Sequence, residues 1–107
     1  MKILYYIGET VDLSVKMNRG TFNENPAAPC IESDGKTIAL NQLRTAERFY
    51  LNGLGSMLKI QNGSDTIYMT VPRIYIELGS GLAIINSAAV RRAYKIVSSA
   101  LQLQTLL

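Results

Sequence analysis

The sequence predicts an α+β protein made of two ββββα repeats, each an antiparallel sheet closed by one helix, and three observations lead there. Period-two alternation recurs along the chain and is densest over 65–78, DTIYMTVPRIYIEL. Two stretches, 42–51 and 87–103, carry helical spacing directly after an asparagine. Four strand patterns precede each of them, so the chain divides at Leu54 into proposed repeats 1–54 and 55–107 of one domain, 1–107.

The first pair of strands is expected at 2–7 and 11–17, joined at Gly8-Glu9-Thr10. Ile3, Tyr5 and Ile7 then share a face with Val11, Leu13, Val15 and Met17. Segment 18–29, NRGTFNENPAAP, is dense in Asn, Gly and Pro and reads as a long loop. Strands at 30–33 and 36–40 flank Asp34-Gly35, a dipeptide that tolerates positive φ and suits a tight hairpin. Asn41 is placed to cap a helix over 42–51, with Leu43, Ala46, Phe49 or Tyr50, and Leu54 on its apolar side, ended by Asn52-Gly53. A second hairpin joins 57–61 to 66–71 around Asn62-Gly63-Ser64-Asp65, and a third joins 73–78 to 82–85 around Gly79-Ser80-Gly81. Asn86 or Ser87 caps the last helix, whose buried side carries Val90, Ala93 or Tyr94, Val97, and Ala100 or Leu101.

Stretch 65–78 separates its side chains into two chemically different sets. Ile67, Met69, Val71, Ile74, Ile76 and Leu78 form the core side, while Thr66, Tyr68, Thr70, Arg73, Tyr75 and Glu77 face the other way. Pro72 lacks an N–H and marks a bend or a sheet edge between the two runs. The polar side carries tyrosines beside a cation, and what it touches is the functional question.

Composition narrows the answer. A length of 107 residues with 48% hydrophobic and 18% charged residues fits one folded domain that buries surface in a partner. No apolar run reaches the roughly 18 residues a membrane helix needs, and the N-terminal stretch lacks a signal-peptide cleavage pattern, so a cytoplasmic location and no membrane partner are expected. The single Cys30 forms no internal disulfide and reads as a small buried hydrophobe rather than a nucleophile. The absence of histidine removes the commonest general base and zinc ligand. With no Gly-rich phosphate loop or metal-ligand spacing either, the reading is a non-enzyme without cofactor. Glu32 and Glu77, at equivalent repeat positions, are either a carboxylate pair or two surface glutamates.

The repeat itself rests on matched residues. Glu9-Thr10-Val11-Asp12-Leu13-Ser14-Val15 agrees in character with Asp65-Thr66-Ile67-Tyr68-Met69-Thr70-Val71 at six of seven positions. Ile31-Glu32 matches Ile76-Glu77, Asn41 matches Asn86, and Phe49 matches Tyr94. The repeated order of four strands and a helix resembles single-stranded nucleic-acid-binding modules of the Pur-alpha, Whirly and positive-cofactor-four type, and the passage from fourth strand to helix, Gly35-Lys36-Thr37-Ile38-Ala39-Leu40-Asn41 followed by Gln42-Leu43-Arg44, and more loosely Gly81-Leu82-Ala83-Ile84-Ile85-Asn86, resembles the positive-cofactor-four type in particular. The resemblance covers about ten residues in each half. It implies ββββα units paired through their helices, with curved sheets offered to extended nucleic acid. The chain departs from the pattern in lacking tryptophan and in its modest net charge of +3.

Binding a single strand calls for flat side chains on which bases stack and cations for the phosphates. Tyr68 and Tyr75 supply the first and Lys59 and Arg73 the second, with Tyr6, Lys2 and Lys16 in similar positions of the first repeat and Arg19 and Phe22 nearby. Asp12, Glu77 and Glu9 oppose binding by charge. The competing role for each tyrosine is sheet stabilisation or cover by another chain, and for each cation the solubility of a sheet surface. Arg91 and Lys95, four apart, share a helix face with Arg92 alongside. Before and at Leu54 basic and acidic residues number six each, and after it five against two, so the excess lies wholly in the second half. Arg44 and Arg48 form a weaker pair offset by Glu47. The leucines of tail 101–107 suggest a homo-oligomer paired through the C-terminal helix. The function expected is therefore a non-catalytic single-stranded nucleic-acid-binding protein. The alternative is a small viral or mobile-element module that docks on a host protein or on itself.

Overall fold

The computed structural model describes residues 1–12, 14–73 and 85–106. Seven strands and a helix follow in order: β1 (Lys2–Ile7), β2 (Asn18–Asn23), β3 (Cys30–Ser33), β4 (Lys36–Ala39), β5 (Leu43–Leu51), β6 (Gly55–Asn62), β7 (Asp65–Thr70) and α1 (Ser87–Thr105). The strands form one antiparallel sheet in the order β4-β3-β2-β1-β7-β6-β5. It consists of two meanders, β1–β4 and β5–β7, joined where β1 pairs with β7 and Tyr6 lies opposite Tyr68.

The α+β class holds, but two sheets each closed by a helix are not what the described residues form. Segment 42–51, expected as a helix behind Asn41, is strand β5. Its residues alternate as well as they fit a helical period: Thr45, Glu47 and Phe49 lie on one face, and Ala46, Arg48 and Tyr50 on the other, opposite Ile60, Leu58 and Ser56. Thr, Phe and Tyr favour a pleated surface, and a ten-residue helix is marginal by itself.

Segment 11–17, expected as a strand, contains none among its described residues. The Asp12 carboxylate accepts both the backbone N–H and the hydroxyl of Ser14, a local turn that competes with any ladder. The pairing place beside β1 goes instead to β2, inside the expected loop 18–29. Phe22 faces the core there, and Gly20 lies so close beneath Tyr5 that an added Cβ would stand 3.0 Å from its ring. The turn chemistry of Asn23 and Asn25 is used within 23–28, where their side chains accept the N–H groups of Asn25 and Ala27. With a strand at 43–51 in place of a helix, and no strand among the described residues of 11–17, the described residues do not show two ββββα repeats.

Both hairpin turns between β3 and β4 and between β6 and β7 form as expected, the first with Asp34 and Gly35 at φ 50 and 74. The helix begins after Asn86, whose side chain accepts the Ala89 N–H. The third hairpin, over 73–78 and 82–85, falls mostly outside the described residues, which show only a bridge between Pro72 and Ile85.

β4 and β5 are the two edges of the sheet, yet only residues 40–42 connect them. Four peptide steps span at most about 14 Å, whereas a flat sheet of seven strands at a spacing of about 4.8 Å would hold its edges roughly 29 Å apart. The sheet must therefore curl. Its inner face carries Ile3, Tyr5, Phe22, Ile31, Leu58, Ile60, Ile67 and Met69, which form one core with Ala89, Val90, Ala93, Val97 and Ala100 of α1. Burying each larger apolar side chain contributes about 1.5–3 kcal/mol, and the alanines let the helix lie close to β5 and β6.

Hydrogen bonds hold the short connection in place. Gln104 of α1 donates Nε2 to the Leu40 carbonyl and accepts the Leu43 N–H at Oε1, both at 2.8 Å. Asn62 accepts the Gln42 N–H at 3.0 Å and donates to the Ala39 carbonyl at 3.1 Å, while Gly63 N–H donates to the Gln42 carbonyl. Two side chains thus fasten the end of the helix and the β6–β7 turn to the seam of the curled sheet.

Candidate nucleic-acid interface

The outer face of the sheet places three of the expected residues in one row. Register sets Glu47 opposite Lys59, Lys59 opposite Tyr68, and Tyr68 opposite Tyr6. Lys59 is exposed, but Tyr68 is buried at 4% exposure. Its hydroxyl donates to the Glu9 carbonyl at 3.0 Å, and its ring meets Phe49 edge to face with centroids 6.0 Å apart. The chain after β1 folds back to cover it, anchored by the Gly8 N–H on the Thr66 carbonyl. A Cβ at Gly8 would stand 2.5 Å from the Tyr6 ring, so this backbone lies against Tyr6 as well, which is half-buried. Tyr68 is thus covered, and Tyr6 partly covered, by their own chain.

The remaining expected residues are dispersed. Lys2 lies exposed on β1, Lys16 is exposed in the segment between β1 and β2, and Arg73 is exposed beyond Pro72. Tyr75 and Glu77 lie outside the described residues, and Glu32 is exposed on β3. Cys30 is free and half-buried at the start of β3, not fully inside the core. Arg91, Arg92 and Lys95 are all exposed on α1. That helix carries no acidic residue along its 19 positions.

A second surface, opened between β5 and the start of α1, brings together residues that the sequence did not group. A groove of about 350 Å³ is lined by Arg48, Tyr50, Ser56, Ser87, Val90 and Arg91. β5 alternation directs Arg48 and Tyr50 to the helix side, and Glu47 to the opposite face. The Arg48 guanidinium lies 5.2 Å from the centroid of the Tyr94 ring, a cation–π contact that orients it without neutralising it. Tyr50 is 69% exposed. The hydroxyls of Ser56 and Ser87 are 3.3 Å apart, and the Ser56 carbonyl is held by Thr70 Oγ1 at 2.7 Å. Among the described residues no carboxylate comes within ion-pair distance of Arg48 or Arg91.

Two other grooves have mixed charge: one on the outer face between Glu9, Glu47 and Lys59, and one at the β3–β4 turn between Glu32, Asp34 and Lys36. Among the described residues there is no cluster of three or more His, Cys, Asp or Glu arranged to hold a metal ion. No helix among them is long and apolar enough to cross a membrane. A helix over 42–51 pairs Arg48 with Arg44 and offers Tyr50 to the core, so the sequence does not group Arg48 with Tyr50; the two-residue alternation through Ala46, Arg48 and Tyr50 is the signal that places them together.

No protein-family model matches this chain, and no curated protein does.

Proposed function

We propose that the protein is a non-catalytic binding module for single-stranded nucleic acid, and that its contact surface is α1 with the adjoining end of β5. The observation that carries this reading is the charge of that surface. Arg91, Arg92 and Lys95 stand exposed on a helix without acidic residues, and Arg91 shares a groove with Arg48 and the open ring of Tyr50. Cations for phosphates beside an exposed aromatic ring are the two elements that sequence-tolerant single-strand binding uses. Lys59 and Lys2 on the outer face are secondary contributors to the field that draws a polyanion in.

Titration with labelled single-stranded and duplex oligonucleotides of the same length tests the reading. Single strands are expected to bind more tightly, with log affinity falling as log salt rises by about 0.7 per phosphate contacted. Absence of salt-sensitive binding to the single strand at micromolar protein sinks it. A second reading, self-association, draws on Leu103 and Leu106 at the end of α1, 50% and 82% exposed. Light scattering separates the two: a concentration-dependent dimer abolished by Leu103→Ser and Leu106→Ser supports assembly.

A further inference from the structure

We infer that the groove between β5 and α1 is a nucleotide subsite, which takes one phosphate between Arg48 and Arg91 and stacks the attached base on Tyr50. This deepens the proposed function and rests on it, since it says where along the surface one nucleotide of a strand is held. Three features of the groove support this chemistry independently. Its two guanidinium groups have no carboxylate partner among the described residues, and Arg48 is oriented by Tyr94. The hydroxyls of Ser56 and Ser87, in its lining, share a 3.3 Å hydrogen bond, which leaves one hydroxyl hydrogen free to donate to a phosphate oxygen. Tyr50 stands open to solvent at the rim, at 69% exposure, where a base can lie against it.

The site differs from the outer face in kind. There Lys59 is flanked by Glu47 and the Tyr68 hydroxyl is already bonded, so neither a free cation pair nor an open ring is offered. In the groove the same two ingredients are present without an opposing charge among the described residues. Phosphate specificity follows from the arginines, and base tolerance from a ring that makes no edge-on hydrogen bonds.

The test uses the isotopically labelled full chain with thymidine 5′-monophosphate, thymidine and inorganic phosphate as separate probes, followed by nuclear magnetic resonance. The monophosphate is expected to move the signals of Ser56, Ser87, the Arg48 side chain and the Tyr50 ring. Inorganic phosphate is expected to move all but the Tyr50 ring, and thymidine none at the same concentration. Arg91→Gln, on the exposed face of α1 where unfolding is not at issue, should weaken the monophosphate by about tenfold, and Arg48→Gln by as much. Tyr50→Ala should weaken it about fivefold or more without changing the response to inorganic phosphate. The inference is overturned if the monophosphate leaves these signals unmoved, or if both arginine variants bind it like the parent chain. If an oligonucleotide binds with salt dependence while the groove signals stay still, the subsite fails and the proposed function stands. If the monophosphate fills the groove while no oligonucleotide binds, the subsite stands and the proposed function fails.

Discussion

The outer sheet face around Tyr68 and the groove around Tyr50 hold similar residue types in opposite states. Tyr68 is 4% exposed and its hydroxyl is bonded to Glu9, whereas Tyr50 is 69% exposed beside two arginines. An aromatic ring near a cation is therefore no binding site in itself. What separates the two is whether the chain spends the ring on its own packing. The 8–12 segment, short of a strand, lies over the first ring, and nothing among the described residues covers the second to that extent. Tyr68 belongs to the energetics of folding, and Tyr50 to the exposed surface.

The largest expected effect breaks this comparison if it fails. Tyr68→Ala removes a buried ring packed against Phe49 and is expected to destabilise the fold by about 3 kcal/mol or more, read by urea denaturation. A Tyr68→Ala protein that keeps its stability and loses oligonucleotide affinity would reverse the roles of the two faces. Next in size is Gln104→Ala, which strips the Leu40 carbonyl and the Leu43 N–H of their partner at the seam. The expected loss is about 2 kcal/mol, with the affinity of the remaining folded protein unchanged, because the seam closes the sheet and does not face the groove.

Tyr50→Ala sharpens the contrast from the other side. Its ring is mostly exposed, so stability should move by no more than about 0.5 kcal/mol, while affinity for a single-stranded oligonucleotide falls about fivefold or more. Lys59→Gln, beside Tyr68, should change that affinity by less than the arginine variants of the groove and lower the salt slope by at most about 0.7. Equal losses for Lys59→Gln and Arg91→Gln would show that the field, rather than the groove, does the binding.

How far the sequence discloses these features depends on the range of the interaction that decides each one. The Asp34-Gly35 turn, the β6–β7 hairpin and the Asn86 cap are settled by neighbours, and all three were readable. The pairing of β1 with β7 joins residues some sixty positions apart, and no local pattern announces it. Segments 42–51 and 87–105 make the point most directly. Both follow an asparagine and both carry apolar residues at helical spacing, yet only the second is a helix. It is long and includes four alanines, at 88, 89, 93 and 100, whereas the first is short, has one alanine and carries Thr, Phe and Tyr. For the proposed surface, the four-residue spacing of Arg91 and Lys95 is legible in the sequence, while the grouping of Arg48 with Tyr50 depends on a strand whose spacing also fits a helix. Gln104 was hidden in what looked like a leucine tail, because its partners lie 61 and 64 residues away.

The smallest effect concerns the cover over Tyr68. The Asp12 carboxyl is held below its ordinary value chiefly by the Ser14 hydroxyl, with the Ser14 backbone N–H second. Since the folded value lies below the unfolded one, the carboxylate stabilises the turn fully above the ordinary carboxylate range, and that contribution disappears as pH falls through the lowered value. Asp12 is exposed, so salt and solvent screen the effect and global unfolding should hardly register it. The local consequence is measurable by amide exchange at fixed temperature. On acidification, Ser14 should exchange faster relative to the amides of β6, and Asp12→Asn should weaken that pH dependence. Acceleration that spreads to Gly8, whose N–H pins the covering segment to Thr66, would show that the turn at Asp12 helps keep Tyr68 covered; acceleration confined to Ser14 would place the cover's stability in the Gly8 and Glu9 contacts alone.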